Sequence, residues 1–156
     1  DQDVSWESQT EPKDQKRNNW TCLKEGSAQG RLIIGNLNTM SCIWGSIYMP
    51  EIKKGDILFI EDSQKTAALM ERLFSFLKVN GIFDRIGGLI LGKHERFDSQ
   101  GTGKTPGMIL EEVLGRYDFP VLCDVDCSHT HPMFTIPIGY RVLLDAQKKE
   151  FLMMSW

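Results

Sequence analysis

The chain has 156 residues, with 18 Lys plus Arg against 21 Asp plus Glu and a formal net charge of −3, the size of one domain with one real core. Its mild acidity, pI about 5.6, gives no basic face for nucleic-acid backbones, while 41% hydrophobic residues and a mean hydropathy of −0.27 are values of a globular chain. No apolar run approaches the roughly 18 residues of a membrane span, and the acidic, polar start does not resemble a signal peptide, so a cytoplasmic protein without membrane or nucleic-acid partners is expected.

Residues 1–29 read as a polar segment or interdomain linker. Ten of them are charged, and Val4, Leu23, Trp6 and Trp20 supply most of the apolar area, too little to offset the ordering entropy. A tryptophan in such a segment anchors it to the body more often than it stacks on a ligand. From Gly30 the pattern alternates. Arg31 to Ile34 is an apolar run closed by Gly35-Asn36, a strand-to-turn signal. Ile57 to Ile60 is apolar on both faces, as a buried strand is. Glu61-Asp62-Ser63 then opens a helix, with Ser63 as N-cap, Leu69, Leu73, Phe76 and Leu77 as its stripe and Asn80-Gly81 as its stop.

Ile86 to Leu91 reads as the next strand, followed by a polar loop from Gly92 to Lys104. Thr105-Pro106 fits an N-cap and first helical residue, with Ile109, Val113 and Tyr117 carrying the helix. Residues 120–125 form another strand, and 138–145 and 151–154 a terminal pair across the polar 146–150 connection. Alternating strands and helices with a final strand pair predict a mixed α/β layer with an antiparallel appendage.

Two motifs yield little. Gly101-Thr102-Gly103-Lys104-Thr105 suggests a phosphate loop, but Asp98 stands where the motif requires glycine, and a carboxylate there repels phosphate. Cys123, Cys127, His129 and His131 are zinc-type ligands, yet structural sites use a closer cysteine pair, and Cys123 sits inside a strand signal. The four cysteines are too scattered for a disulfide framework and are expected as free thiols.

Glu61 carries more information. It ends an apolar strand at the edge of an α/β sheet, where functional groups collect. A partly desolvated carboxylate there needs a partner such as a histidine N–H, or it complements a helix dipole. His94 and His129 both lie in loops just after strands, positions suited to acid–base work. A Glu–His pair lacks a nucleophile for acyl transfer, and the chain has no G-x-S-x-G elbow.

Taken in order, residues 30–37, 58–63, 91–95, 126–132 and 135–139 resemble the C-terminal half of the L,D-carboxypeptidase family of serine peptidases, in particular its microcin C immunity branch. The resemblance covers roughly residues 18–145. It departs from the family at Ile34, where glycine is usual, and at Ser128, where glycine precedes the histidine. It implies a swivelling β/β/α domain over residues 30–156, contributing Glu61 and His129 to a Ser–Glu–His triad, with His131 a rival base. It further implies that the serine lies in an N-terminal domain outside this chain, that Lys65, Glu95, Asn36 and Trp6 help hold substrate, and that neither metal nor organic cofactor takes part. The implied substrate is a muropeptide cut at an L,D bond or a peptidyl or aminoacyl nucleotide. A chain without its nucleophile is expected to be inactive alone, and its uncovered apolar face to favour a homodimer. The alternative is a non-catalytic α/β module binding peptide or sugar.

Overall fold

A computed structural model describes residues 19–127, 129, 133 and 135–154. Its elements are β1 (Thr21–Lys24), β2 (Ser27–Asn36), α1 (Leu37–Ile43), β3 (Ile57–Glu61), α2 (Ala67–Val79), β4 (Gly88–Gly92), α3 (Pro106–Leu114), β5 (Val121–Val125), β6 (Arg141–Asp145) and β7 (Glu150–Met153). They form one seven-stranded sheet in the order β1-β5-β4-β3-β2-β6-β7. The central four strands are parallel. Antiparallel β1 closes one edge on β5, and the β6–β7 hairpin extends the other from β2.

The strands that read as uniformly apolar are buried on both faces, for which the two core clusters are the reason. In β3, Leu58 and Ile60 face the cluster packed under the three helices, while Ile57 and Phe59 face a second cluster that takes in Val142, Leu144 and Phe151. The side-chain period of two therefore finds apolar cover on either side. β2 bridges the halves of the sheet, pairing through Leu32–Asn36 with β3 and through Ser27–Arg31 with β6.

Several boundaries differ from the sequence-based expectation. The sheet takes in residues 21–24 and 27–29, expected within the polar segment, because β1 and the start of β2 are held by pairing more than by burial. Gly35-Asn36 is not a turn: β2 runs through it, and Asn36 caps the short helix α1, its side chain accepting from Thr39 N–H. The helix expected from Ser63 starts at Ala67, with Thr66 as N-cap. Ser63 instead bridges to Glu95, and Gln64 takes a φ of +53°, so helical backbone cannot begin there. Thr105 and Pro106 do open α3, but Gly115, at φ +67°, ends it before Tyr117. No disulfide joins the four cysteines. Among the described residues no helix is long and apolar enough to cross a membrane.

Candidate active site

Glu61 is the last residue of β3 and sits beside Asn36, the last of β2. The alternation along β3 sends its side chain to the Phe59 face, where Gly92 at the end of β4 makes room. A Cβ on residue 92 would lie 2.8 Å from Glu61 Cβ and 3.0 Å from the carbonyl oxygen of Cys127. Those contacts are closer than carbon atoms tolerate, so this crossing of β3, β4 and the segment after β5 requires glycine. The carboxylate is 10% exposed, and its Oε2 lies 2.9 Å from Nδ1 of His129, whose side chain is 43% exposed. An ionised carboxylate only accepts, so Nδ1 carries the proton and Nε2 is the imidazole's remaining basic nitrogen.

A second carboxylate, which no sequence motif singles out, organises the floor. Asp62 is fully buried. Its Oδ1 accepts from Asn36 Nδ2 at 3.3 Å and from Ser63 N–H at 3.0 Å, and pairs with Lys65 Nζ at 3.0 Å; its Oδ2 accepts from Asn38 N–H at 2.9 Å. Lys65 Nζ also donates to the Ser63 carbonyl at 2.8 Å. With two of its three N–H groups engaged, the Lys65 ammonium keeps one for a further acceptor. Asn36 is largely spent on structure, its Oδ1 accepting from both the backbone N–H and the hydroxyl of Thr39.

The loop after β4 lies along the segment between β3 and α2. Glu95 and Asp98 form isolated parallel bridges with Ser63 and Thr66, Gln64 N–H donates to the Glu95 carbonyl, and Ala67 N–H to that of Asp98. His94 Nε2 accepts from Lys65 N–H at 3.2 Å. Burial first, then Lys65 and His129, push the His94 pKa down to about 4 against the opposing pull of Asp62. His94 is therefore neutral at pH 7 and acts as an acceptor inside the wall. Glu95 is 3% exposed, and its Oε1 has no hydrogen-bond partner among the described residues.

The remaining candidates separate. Trp6, Ser128 and His131 lie outside the described residues. Cys123 packs in the helix-side core and Cys127 against the opposite cluster, burial raising both thiols, Cys127 to about 11. Among the described residues no three His, Cys, Asp or Glu side chains gather as a metal-ion site. Lys104, from the glycine-rich loop, pairs with Glu112 at 2.6 Å.

The family model for the LD-carboxypeptidase C-terminal domain (Peptidase_S66C) matches residues 29–144, well over half the chain. The chain belongs to that family. It is 49% identical over 151 residues to the microcin C7 self-immunity protein MccF of Escherichia coli, covering 96% of this chain and 44% of that protein. It is also 49% identical over 146 residues to the putative carboxypeptidase VC_A0337 of Vibrio cholerae, with 94% and 44% covered. The solved structure of MccF in complex with glutamyl sulfamoyl guanosine superposes with a TM-score of 0.88 at 49% identity, covering 94% of this chain and 44% of that one. The chain thus spans less than half the length of these relatives, and its mixed α/β fold is the family's.

Proposed function

We propose that this chain is the base-bearing half of a serine-type amide hydrolase, with His129 as general base and acid and Glu61 as its orienting carboxylate. The observation that carries the reading is the 2.9 Å contact between Glu61 Oε2 and His129 Nδ1. A half-exposed imidazole fixed through Nδ1 presents Nε2 to a nucleophile, and the carboxylate stabilises the imidazolium formed when that nitrogen takes a proton. The nucleophilic serine belongs to a domain outside these 156 residues, matching the part of the relatives that the chain does not span. Attack on the scissile carbonyl gives an acyl-enzyme; His129 returns its proton to the departing amine, then activates water to release the acid.

The substrate is an aminoacyl or peptidyl nucleotide, a class suggested by the immunity-protein relative and by the aminoacyl sulfamoyl nucleoside in the MccF structure; a muropeptide is the competing class. Lys65 offers its remaining N–H to an anionic group, Glu95 offers an unpartnered carboxylate oxygen, and Asn36 keeps one amide hydrogen. Trp6 would stack on a base. The chain before β1 connects to the nucleophile domain, and a second copy covers exposed apolar side chains such as Ile47 and Tyr48.

The test joins this chain to the N-terminal half of a relative such as MccF and follows hydrolysis of an aminoacyl sulfamoyl nucleoside and of a muropeptide. Glu61→Gln and His129→Ala are each expected to lower kcat by about 10³–10⁴-fold, as in other triads. Full activity in both variants removes the reading, and cleavage of the muropeptide alone moves the substrate to the other class.

A further inference from the structure

Asp126 is a buried charge that the proposed hydrolysis does not use. It lies one residue beyond β5 and is 2% exposed. Its Oδ2 accepts from the indole Nε1–H of Trp20 at 2.9 Å, and its Oδ1, without a hydrogen-bond partner among the described residues, faces the Lys93 ammonium at an ion-pair distance of 3.5 Å. A buried carboxylate is costly without partners, and these come from two distant segments: the residue that leads into β1 and the residue just after β4. The pairing of β1 on β5, Thr21 opposite Cys123, brings Trp20 alongside. The pairing of β4 with β5 continues through Lys93 N–H to the Val125 carbonyl at 3.0 Å.

The segment beyond Asp126 is tightly held at its start. Cys127 N–H turns back to the Val125 carbonyl at 2.9 Å, and the Cys127 carbonyl packs on Gly92. His129 is three residues past Asp126, a reach of at most about 11 Å even fully extended. The carboxylate and the imidazole are thus near neighbours along the chain, with the Cys127 backbone held between them.

We infer that Asp126, clamped between the Trp20 indole and the Lys93 ammonium, is a positioning residue that holds the His129 imidazole toward Glu61. The inference rests on the proposed role of His129 for its catalytic consequence, and on geometry alone for its structural one. A charge anchoring a loop for stability alone would leave the imidazole where it is once the protein has folded; a positioning clamp would not.

The two are separated in the joined protein of the hydrolysis test. Trp20→Phe removes the indole donor and keeps an aromatic body; Lys93→Met removes the cation and keeps the stem; Lys93→Arg restores the charge. In ¹⁵N-histidine spectra of the joined protein the Nδ1 proton of His129 is assigned by its disappearance in His129→Asn and can then be tracked in the other variants. Trp20→Phe and Lys93→Met are expected to abolish or shift that resonance and to lower kcat about ten- to a hundredfold, the cost of misplacing a reacting group by about 1 Å, with KM within about twofold. Lys93→Arg recovers both signals. Should Trp20→Phe fail to fold, Lys93→Met, which leaves the indole bond intact, is read in its place. An unchanged His129 resonance with unchanged kcat in the folded variants overturns the clamp, as does a loss of kcat that Lys93→Arg does not recover. If Glu61→Gln and His129→Ala retain activity, the hydrolase reading fails separately, and the resonance alone decides the clamp.

Discussion

His94 shows how a single environment converts a common acid–base residue into a structural one. Its loop position after a strand resembles that of His129, but its ring is buried, accepts from Lys65 N–H and packs edge-on against Phe97 at 5.5 Å between centroids. With a folded pKa near 4 against 6.5 in the unfolded chain, the unfolded state binds more protons between those values, so stability rises with pH across that window and falls as pH drops through it. The full difference is on the order of 3 kcal/mol. Urea titrations at about pH 4.5 and 7, either end of that window, should show a steeper acid loss in the parent than in His94→Gln, the neutral acceptor that does not titrate. Parallel losses in the two proteins would exclude this origin. His129 differs because it stays partly exposed and meets a carboxylate; loop position after a strand does not distinguish the two rings, and only the family resemblance singled out His129.

At the scale of elements, Asp62 joins pieces that are separate in sequence. One carboxylate satisfies the backbone of Asn38 in the first turn of α1, the Asn36 amide at the end of β2 and the Lys65 ammonium before α2. Removing it leaves a partly buried N–H and a partly buried cation without this partner. Asp62→Ala is expected to cost about 2–4 kcal/mol in urea unfolding, while Thr105→Ala, which removes only the N-cap of α3, costs about 1 kcal/mol. Equal effects would mean that Asp62 acts as no more than a helix cap. Thr105 was legible in the sequence because Thr-Pro before an apolar stripe is a local signal. The start of α2 was not, because the competing interactions, Ser63 with Glu95 and Lys65 with His94, come from a loop about thirty residues away.

For the molecule as a whole, four parallel strands end on one side, and the end of β3 with the segments after β4 and β5 contribute Glu61, His94 with Glu95, and Asp126 with His129 to that edge. This is where open α/β sheets collect ligands. The face carrying Ile47 and Tyr48, 93% and 78% exposed, is where a second copy of the chain is proposed to dock. Light scattering is expected to give about twice the 17.8 kDa chain mass, reverting to one chain in Ile47→Asp; a strict monomer at all concentrations tested would count against the proposed dimer.

The α/β class, the all-apolar strands and the cap of α3 followed from the sequence by itself, because composition, period-two burial and local capping act over a few residues. The ordered motifs likewise sufficed for the family. Other features needed the tertiary structure: that Asn36 caps a helix, that Asp62 holds Lys65, that His94 is buried neutral, and that Trp20 reaches Asp126 across 106 positions. Each depends on which distant backbone a side chain finally faces, and burial and hydrogen bonding of that kind are set by the closing of the sheet rather than by neighbours along the chain.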